Sequence, residues 1–438
     1  MRTATATLTE RIRGNAVVLA FAAAGFLLTL AYGAYLAPDW DPVRNDQRQY
    51  LALARAIVER GEFTRAAGAE AFVPEPLRLP GYPLFIAPLC SVGCSNWAIT
   101  LTQALLVAGL VVIVAKYAST LIGRRGGIVA AGLVALNPSF AFFGAHALSD
   151  LFGAVLLVAS VAATVLLIPR IGPAGGFLAG SLFAFTVLTR PVFVFAVPLS
   201  MLGVSLRHGL RRATAPIVLA VVAFTITVAP YIAYMESSFG RPLVGSSGSA
   251  LYLGYFQGLP ESGLDVMERE ELDAGRAAIA RFDAVAGRAE QARAWVVLDD
   301  ELRARGLALI AHDPWGVAAR GLLRSIVLWT GDIPLRAEDI TPTIASLWAV
   351  VSLVAFGLGL LGTVRIVRRA DPLSALPLLL ILATWGASYP IIAEGRYSLP
   401  AQPFVAIGVA AVLTRLKKPA PRDVPSRAGI PPRARSRA

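Results

Sequence analysis

The apolar residues of this chain fall into long, nearly unbroken runs. They lie at about 15–37, 96–119, 127–146, 150–168, 174–190, 192–207, 214–235, 341–364, 373–392 and 399–415. Most approach the roughly 20 residues that a helix rising about 1.5 Å per residue needs to cross a hydrocarbon layer about 30 Å thick. They show no period of two, which excludes a membrane β-barrel. The pattern predicts an all-α polytopic membrane protein with about ten transmembrane helices.

Two intervening segments are too long to be simple connectors. The first, 38–95, holds a helical stretch near 46–60 and a short apolar stretch after Gly81. The second, 236–340, opens on a Gly/Ser-rich piece and continues at helical spacing from Asp265 to Arg305. It closes on an amphipathic stretch, Pro314 to Trp329, with Arg320 and Arg324 one turn apart. That last stretch suits a helix lying in the membrane surface.

Composition agrees: 56% of the 438 residues are apolar and 16% charged. The net charge of +12 raises the question of nucleic acid. Its placement answers in the negative, because the basic residues punctuate the apolar runs and form no aromatic-interleaved face. Arg124, Arg125, Arg170, Arg207, Arg211, Arg212, Arg365, Arg368, Arg369, Lys417 and Lys418 all fall on one side if the spans alternate. By the positive-inside rule that side is cytoplasmic, together with both termini. The expected division is a cytoplasmic N-terminus at 1–14, a transmembrane domain at 15–416 with outer loops 38–95 and 236–340, and a disordered basic tail at 417–438. The tail would lie near anionic membrane lipids. The first run, after Arg2, Arg11 and Arg13, reads as a retained signal-anchor. The two cysteines, Cys90 and Cys94, are too few for a disulfide framework or a zinc site, and either a mutual bridge or two packed thiols fits them.

Polar groups at span ends narrow the search for chemistry, because they are costly in a membrane. Asp46 stands four residues before Tyr50, Asp150 opens the fourth run, Arg190 separates the fifth and sixth, and Glu394, Arg396 and Tyr397 follow the ninth. Arg78 and Tyr82 lie in the RLPGYP stretch, and His146 one turn before Asp150. With the orientation above, all face outward. Carboxylates there can act as general base or hold a divalent cation, and arginines can clamp phosphate. Structural readings stand beside these. Asp46 or Asn45 can cap a helix, as can Asp150 or Ser149. Arg190 can snorkel at a turn, and Glu394 and Arg396 can simply pair. Asp39 and Asp41 read as solvated loop acids, His146 as structural, and Tyr252 and Tyr255 as packing residues. No histidine cluster, Walker loop, nucleophile elbow or zinc pattern occurs.

The arrangement resembles the GT-C membrane glycosyltransferases, particularly bacterial relatives of the dolichyl-phosphate-mannose protein mannosyltransferases. The motifs are Asp46-Gln-Arg-Gln-Tyr50, Arg78-Leu-Pro-Gly-Tyr82-Pro, Asn137-Pro138, Ser149-Asp150, Thr189-Arg190-Pro191, Gly248-Ser-Ala-Leu-Tyr252-Leu-Gly254 and Glu394-Gly-Arg396-Tyr397-Ser-Leu-Pro400. They span about 15–415. The resemblance implies a polyprenyl-phosphate-linked sugar donor and transfer to a glycan, lipid or protein hydroxyl at the extracytoplasmic face of a bacterial inner membrane. It implies Asp46 and Asp150 as catalytic, and Arg78, Arg190 and Arg396 as phosphate-binding. Tyr50, Tyr82, His146, Tyr252, Glu394 and Tyr397 would support them. Relatives often carry a paired acidic motif, whereas Asp46 follows Asn45, so a divalent cation (Mg or Mn on Asp46 and Asp150) stays an open option. A transporter or flippase of a lipid-linked intermediate and an inactive GT-C scaffold are the alternatives.

Overall fold

A computed structural model describes residues 2–37, 45–66, 71–242, 245–285, 287–368 and 371–414, with side chains from 14 onward except that of Asn45. Asp39, Asp41, Arg369 and the basic tail lie outside the described residues. Among the described residues there is no strand, only an isolated bridge between Thr64 and Pro74.

The helices follow the apolar runs. In chain order they are α1 (Arg2–Leu36), α2 (Asn45–Arg60), α3 (Gly81–Cys90), α4 (Asn96–Ala135), α5 (Pro138–Gly144), α6 (Ser149–Leu166), α7 (Ile168–Ile171), α8 (Pro173–Thr189), α9 (Ala196–His208) and α10 (Leu210–Phe239). A second group begins in the large loop with α11 (Ser247–Phe256), α12 (Val266–Asp283), α13 (Arg288–His312) and α14 (Pro314–Thr330). The chain then returns through α15 (Pro342–Val367), α16 (Leu376–Ser388) and α17 (Gln402–Leu413).

Among the described residues six helical segments are long and apolar enough to span a membrane, and three shorter apolar ones include α3 and α8. The chain is therefore a multi-pass membrane protein. The second and third expected spans run into one another: α4 is bent at Gly123, whose φ of 78° is open to glycine and strained for other residues. The remainder of the third run is interrupted at Asn137, whose side chain caps α5.

Burial sorts the helices. The apolar window of α6 is 89% buried, and it packs on α4, α8 and α9 at the centre of the bundle. The window of α15 is 6% buried, so its Leu347, Val350, Val351 and Val354 face outward, as lipid contact requires. Gly14 approaches Arg124, and Arg207 pairs with Asp371 at 3.4 Å.

The large loop differs from its expectation in two places. Its Gly/Ser-rich opening is helical (α11). The helical stretch from Asp265 to Arg305 is two helices, divided before Arg288 at Gly287, whose φ is 92°. In α14 the arginines turn inward while Trp315, Leu322, Leu323, Ile326 and Val327 are exposed, which suits a helix against lipid. Tyr252, Tyr255, Ala278, Leu298, Leu302, Leu309 and Val317 form a separate small core that joins these helices. Cys90 and Cys94 are joined as a disulfide at the end of α3.

Glycines set one helix crossing. A Cβ added to Gly408 of α17 would lie 2.0 Å from the Gly359 carbonyl oxygen, and one on Gly362 of α15 1.8 Å from that of Gly408. Replacing Gly408 with Leu must push the helices apart, at a cost of about 1–3 kcal/mol. The unfolding midpoint in detergent is expected to fall for Gly408→Leu and to hold for Gly357→Leu, whose surroundings are open.

Candidate functional site

The first loop helix, α2, presents Asp46 in its first turn. Both oxygens of its carboxylate are engaged by arginines. One oxygen accepts from Arg78, and the other accepts from Arg396 Nη1 at 3.0 Å. The Arg78 Nε donates to Gln49 Oε1 at 2.6 Å, and its guanidinium lies 5.4 Å from the Tyr50 ring centre. Burial alone would raise the Asp46 pKa, but the charges of Arg78 and Arg396 prevail and hold it below the usual carboxylate value. Arg396 also pairs with Glu394. Burial works against its charge, yet the fields of Asp150, Glu394 and Asp46 outweigh that and raise its pKa.

Asp150 forms the neighbouring pair. It stands in the first turn of α6, is 1% exposed, and accepts from Arg190 Nη2 at 2.5 Å. The cap position is Leu148, so neither Asp150 nor Ser149 caps the helix with its side chain. Ser149 Oγ lies 3.0 Å from the Tyr50 hydroxyl. Arg190 ends α8, where Pro191 halts the helix, and it points inward to Asp150, not outward to headgroups. The buried Nε of Arg190 has no hydrogen-bond partner. Tyr397 lies between the two pairs, with Arg396 and Arg190 at 5.7 and 5.8 Å from its ring centre.

Scaffold contacts explain the surrounding motif. Gly81 begins α3 against the end of α8, where a Cβ would meet the Leu188 carbonyl oxygen at 2.8 Å. That approach seats Tyr82, fully buried, edge-on to Tyr50 with ring centres 5.1 Å apart. Tyr82 donates to Gln103 Oε1 at 3.3 Å. The His146 Nδ1 lies 2.7 Å from the Phe142 carbonyl oxygen, four residues back. Tyr252 is not brought to the site. Its hydroxyl donates to the carbonyls of Glu271 and Leu272 within the loop core, so the sequence assignment of Tyr252 as a supporting residue gives way to its reading as packing.

Several glutamines went unnoticed in the sequence. Gln47 accepts from the Ala147 N–H at 3.0 Å, and Gln103 donates to the carbonyls of Gly144 and His146. Gln257 holds Ala393 in both directions, donating to its carbonyl at 2.9 Å and accepting from its N–H at 2.7 Å. Arg324, also buried, donates to the carbonyls of Gly254 and Tyr389. The large loop thereby grips 389–393, the segment that carries Glu394 and Arg396.

The donor set does not fit Mg or Mn. Such cations collect about six oxygens. Here Asp46 faces two guanidinium groups and Asp150 a third, and among the described residues no three His, Cys, Asp or Glu side chains converge.

The helical bundle with loop helices over one end is a GT-C-like fold. It is shared with the apo oligosaccharyltransferase of Archaeoglobus fulgidus, at a TM-score of 0.54 and 13% identity over 92% of this chain and 50% of that one. The same archaeal protein, AglB, in complex with an inhibitory peptide and a dolichol-phosphate matches at 0.53, with 13% identity over 92% and 50%. ArnT from Cupriavidus metallidurans bound to undecaprenyl phosphate matches at 0.42, with 18% identity over 90% and 77%. The chain spans about half the length of the archaeal protein. No family model and no curated protein matches the sequence.

Removing the Gln257 side-chain amide takes away two hydrogen bonds worth about 0.5–1.5 kcal/mol each. Hydrogen exchange at 389–396 is expected to accelerate in Gln257→Ala while α6 amides keep their protection; an unchanged 389–396 rate would refute the grip.

Proposed function

We propose that this chain is an integral membrane glycosyltransferase that moves a sugar from a polyprenyl-phosphate donor to an acceptor hydroxyl at the outer end of its bundle. The observation that carries the reading is the Asp46 carboxylate held between Arg78 and Arg396, beside the Asp150–Arg190 pair. The dolichol-phosphate bound to the archaeal neighbour of the same fold supports a lipid-phosphate donor.

In this reading Asp46 takes the acceptor hydroxyl proton. The acceptor oxygen bonds to the sugar C1, the bond from C1 to the phosphate oxygen breaks, and its electron pair stays on that oxygen. The phosphodiester becomes a phosphate monoester and gains negative charge. Arg396 and Arg190, on either side of Tyr397, receive that charge; donors fixed in advance stabilise it without reorganising. The unpartnered Arg190 Nε is a donor such a phosphate would satisfy. Asp150 orients Arg190, and no step draws on a metal.

The Asp46 clamp links donor to base. In the free protein Arg396 is shared between Asp46 and Glu394. An arriving phosphate competes for it, which loosens its hold on Asp46 and returns proton affinity to that carboxylate. Donor binding thus switches on the base. A transporter would place polar groups near the bilayer midplane, whereas these gather at helix ends.

Asp46→Asn is expected to lower kcat by about 10²–10⁴-fold in a purified assay with a polyprenyl-phosphate sugar, with donor binding retained. Undiminished turnover would remove Asp46 from the mechanism. The depressed Asp46 pKa keeps the base ionised as pH falls. On the acid side kcat/KM should therefore hold down through the ordinary carboxylate range, since the free enzyme's Asp46 titrates below it. A decline centred near neutrality would assign the limb to another group.

A further inference from the structure

A cleft of about 520 Å³ lies against the short 3₁₀ helix Gly395–Ala401. Its volume falls in the range of small-molecule sites, roughly 300–1,000 Å³. Leu133 of α4 and Phe143 of α5 stand on one side, Trp348 and Ala355 of α15 on the other, and Gly395 and Ser398 close the back. Val351 belongs both to the cleft and to the outward face of α15, where it is 53% exposed, so the cleft opens toward lipid.

Three properties decide what occupies it. Much of its wall is apolar, and atoms lining an empty space lose the dispersion contacts that a chain would restore. Among the described residues that line it there is no arginine or lysine, so a phosphate finds no guanidinium there. Asp46, Arg78, Arg190 and Arg396 all lie outside its lining. The third property is an unmet donor. The Nε1 of Trp348 is buried without a hydrogen-bond partner, and an indole N–H in an apolar setting calls for an acceptor. A polyisoprene chain carries only carbon and hydrogen and supplies none. The ester carbonyl of a glycerolipid supplies one at the head of an apolar chain, and indoles favour that level of a bilayer.

The cleft bears on the clamp through one short helix. Gly395 and Ser398, three residues apart, share a face of the 3₁₀ turn and line the cleft. Between them in sequence, Arg396 reaches Asp46, and Tyr397 lies beside Arg190. Gly395 is also wedged against the chain after α14, where an added Cβ would lie 2.2 Å from the Asp332 nitrogen. A chain in the cleft therefore supports the helix that carries Arg396 and leaves the clamp's own side chains uncovered.

Resting on the glycosyltransferase reading, we propose that this cleft is a regulatory site for a diacyl glycerolipid of the surrounding bilayer. An acyl chain packs on Leu133, Phe143 and Ala355, its ester carbonyl accepts from Trp348 Nε1, and the filled cleft holds Arg396 where the donor phosphate arrives. Lipid and donor then bind together, each strengthening the other, because coupling between two sites is reciprocal.

The test is native mass spectrometry of the full chain, stripped of lipid in detergent and titrated with phosphatidylethanolamine in diester or diether form. The diester is expected to bind about threefold to tenfold more tightly than the diether, the worth of one hydrogen bond. Trp348→Phe should erase that preference. Ala355→Trp, which fills the cleft, should abolish the bound lipid, whereas Val354→Trp on the exposed face of α15 should keep it. Undecaprenyl phosphate, added second, is expected to bind about fivefold or more tightly when the diester is present. Lipid binding indifferent to the ester or to the two cleft variants would overturn the proposal. So would displacement of the diester by undecaprenyl phosphate, which would assign the cleft to the donor chain. Equal undecaprenyl phosphate affinity with and without the diester would overturn the regulatory role. An absence of undecaprenyl phosphate binding under every condition refutes the donor reading and with it the regulation, while a retained diester preference upholds the lipid site.

Discussion

A carboxylate shared by two guanidinium groups organises one end of this protein. Asp46, Arg78 and Arg396 come from the first loop, from the turn into α3 and from the segment before α17, and Asp46 and Arg396 are 350 residues apart. Three partly buried charges are tolerable only because they compensate one another. Each arginine carries a further obligation. Arg78 is tied to Gln49 and Arg396 to Glu394, so the loops cannot shift independently without exposing a charge to an apolar neighbourhood.

Around that clamp the fold divides its labour. The buried helix α6 fixes Asp150, and α8 brings Arg190 to it. Meanwhile the loop helices α11 to α14 hold the 389–393 backbone through Gln257 and Arg324. The inward arginines and outward leucines of α14 follow the same physics. Where lipid replaces water, apolar side chains are the ones that face out, and the charged ones turn inward, Arg324 to the Gly254 and Tyr389 carbonyls and Arg320 to Asp313 and the Tyr255 ring.

Much of this was legible in the sequence. Helix positions follow from run length, and the candidate charges stand out because a charge at the end of an apolar run demands a reason. The pairings were not legible. Asp150 could equally have capped α6, and nothing local says that it meets Arg190 forty residues on. Glutamines such as Gln49 and Gln257 carried no signal, since a neutral amide is unremarked until it meets a backbone or guanidinium from elsewhere. Tyr252 misled in the other direction. Its motif resembles that of a functional loop, but the structure spends its hydroxyl inside the core of α11 to α13.

The central claim, that this chain consumes a polyprenyl-phosphate sugar, is tested most directly by lipid mass spectrometry. Membranes of cells lacking the chain would be compared with membranes of the same cells expressing it. The account predicts that one polyprenyl-phosphate sugar accumulates without the chain and disappears on its return, with loss and restoration of one surface glycan. A lipid profile identical in both membranes would contradict it.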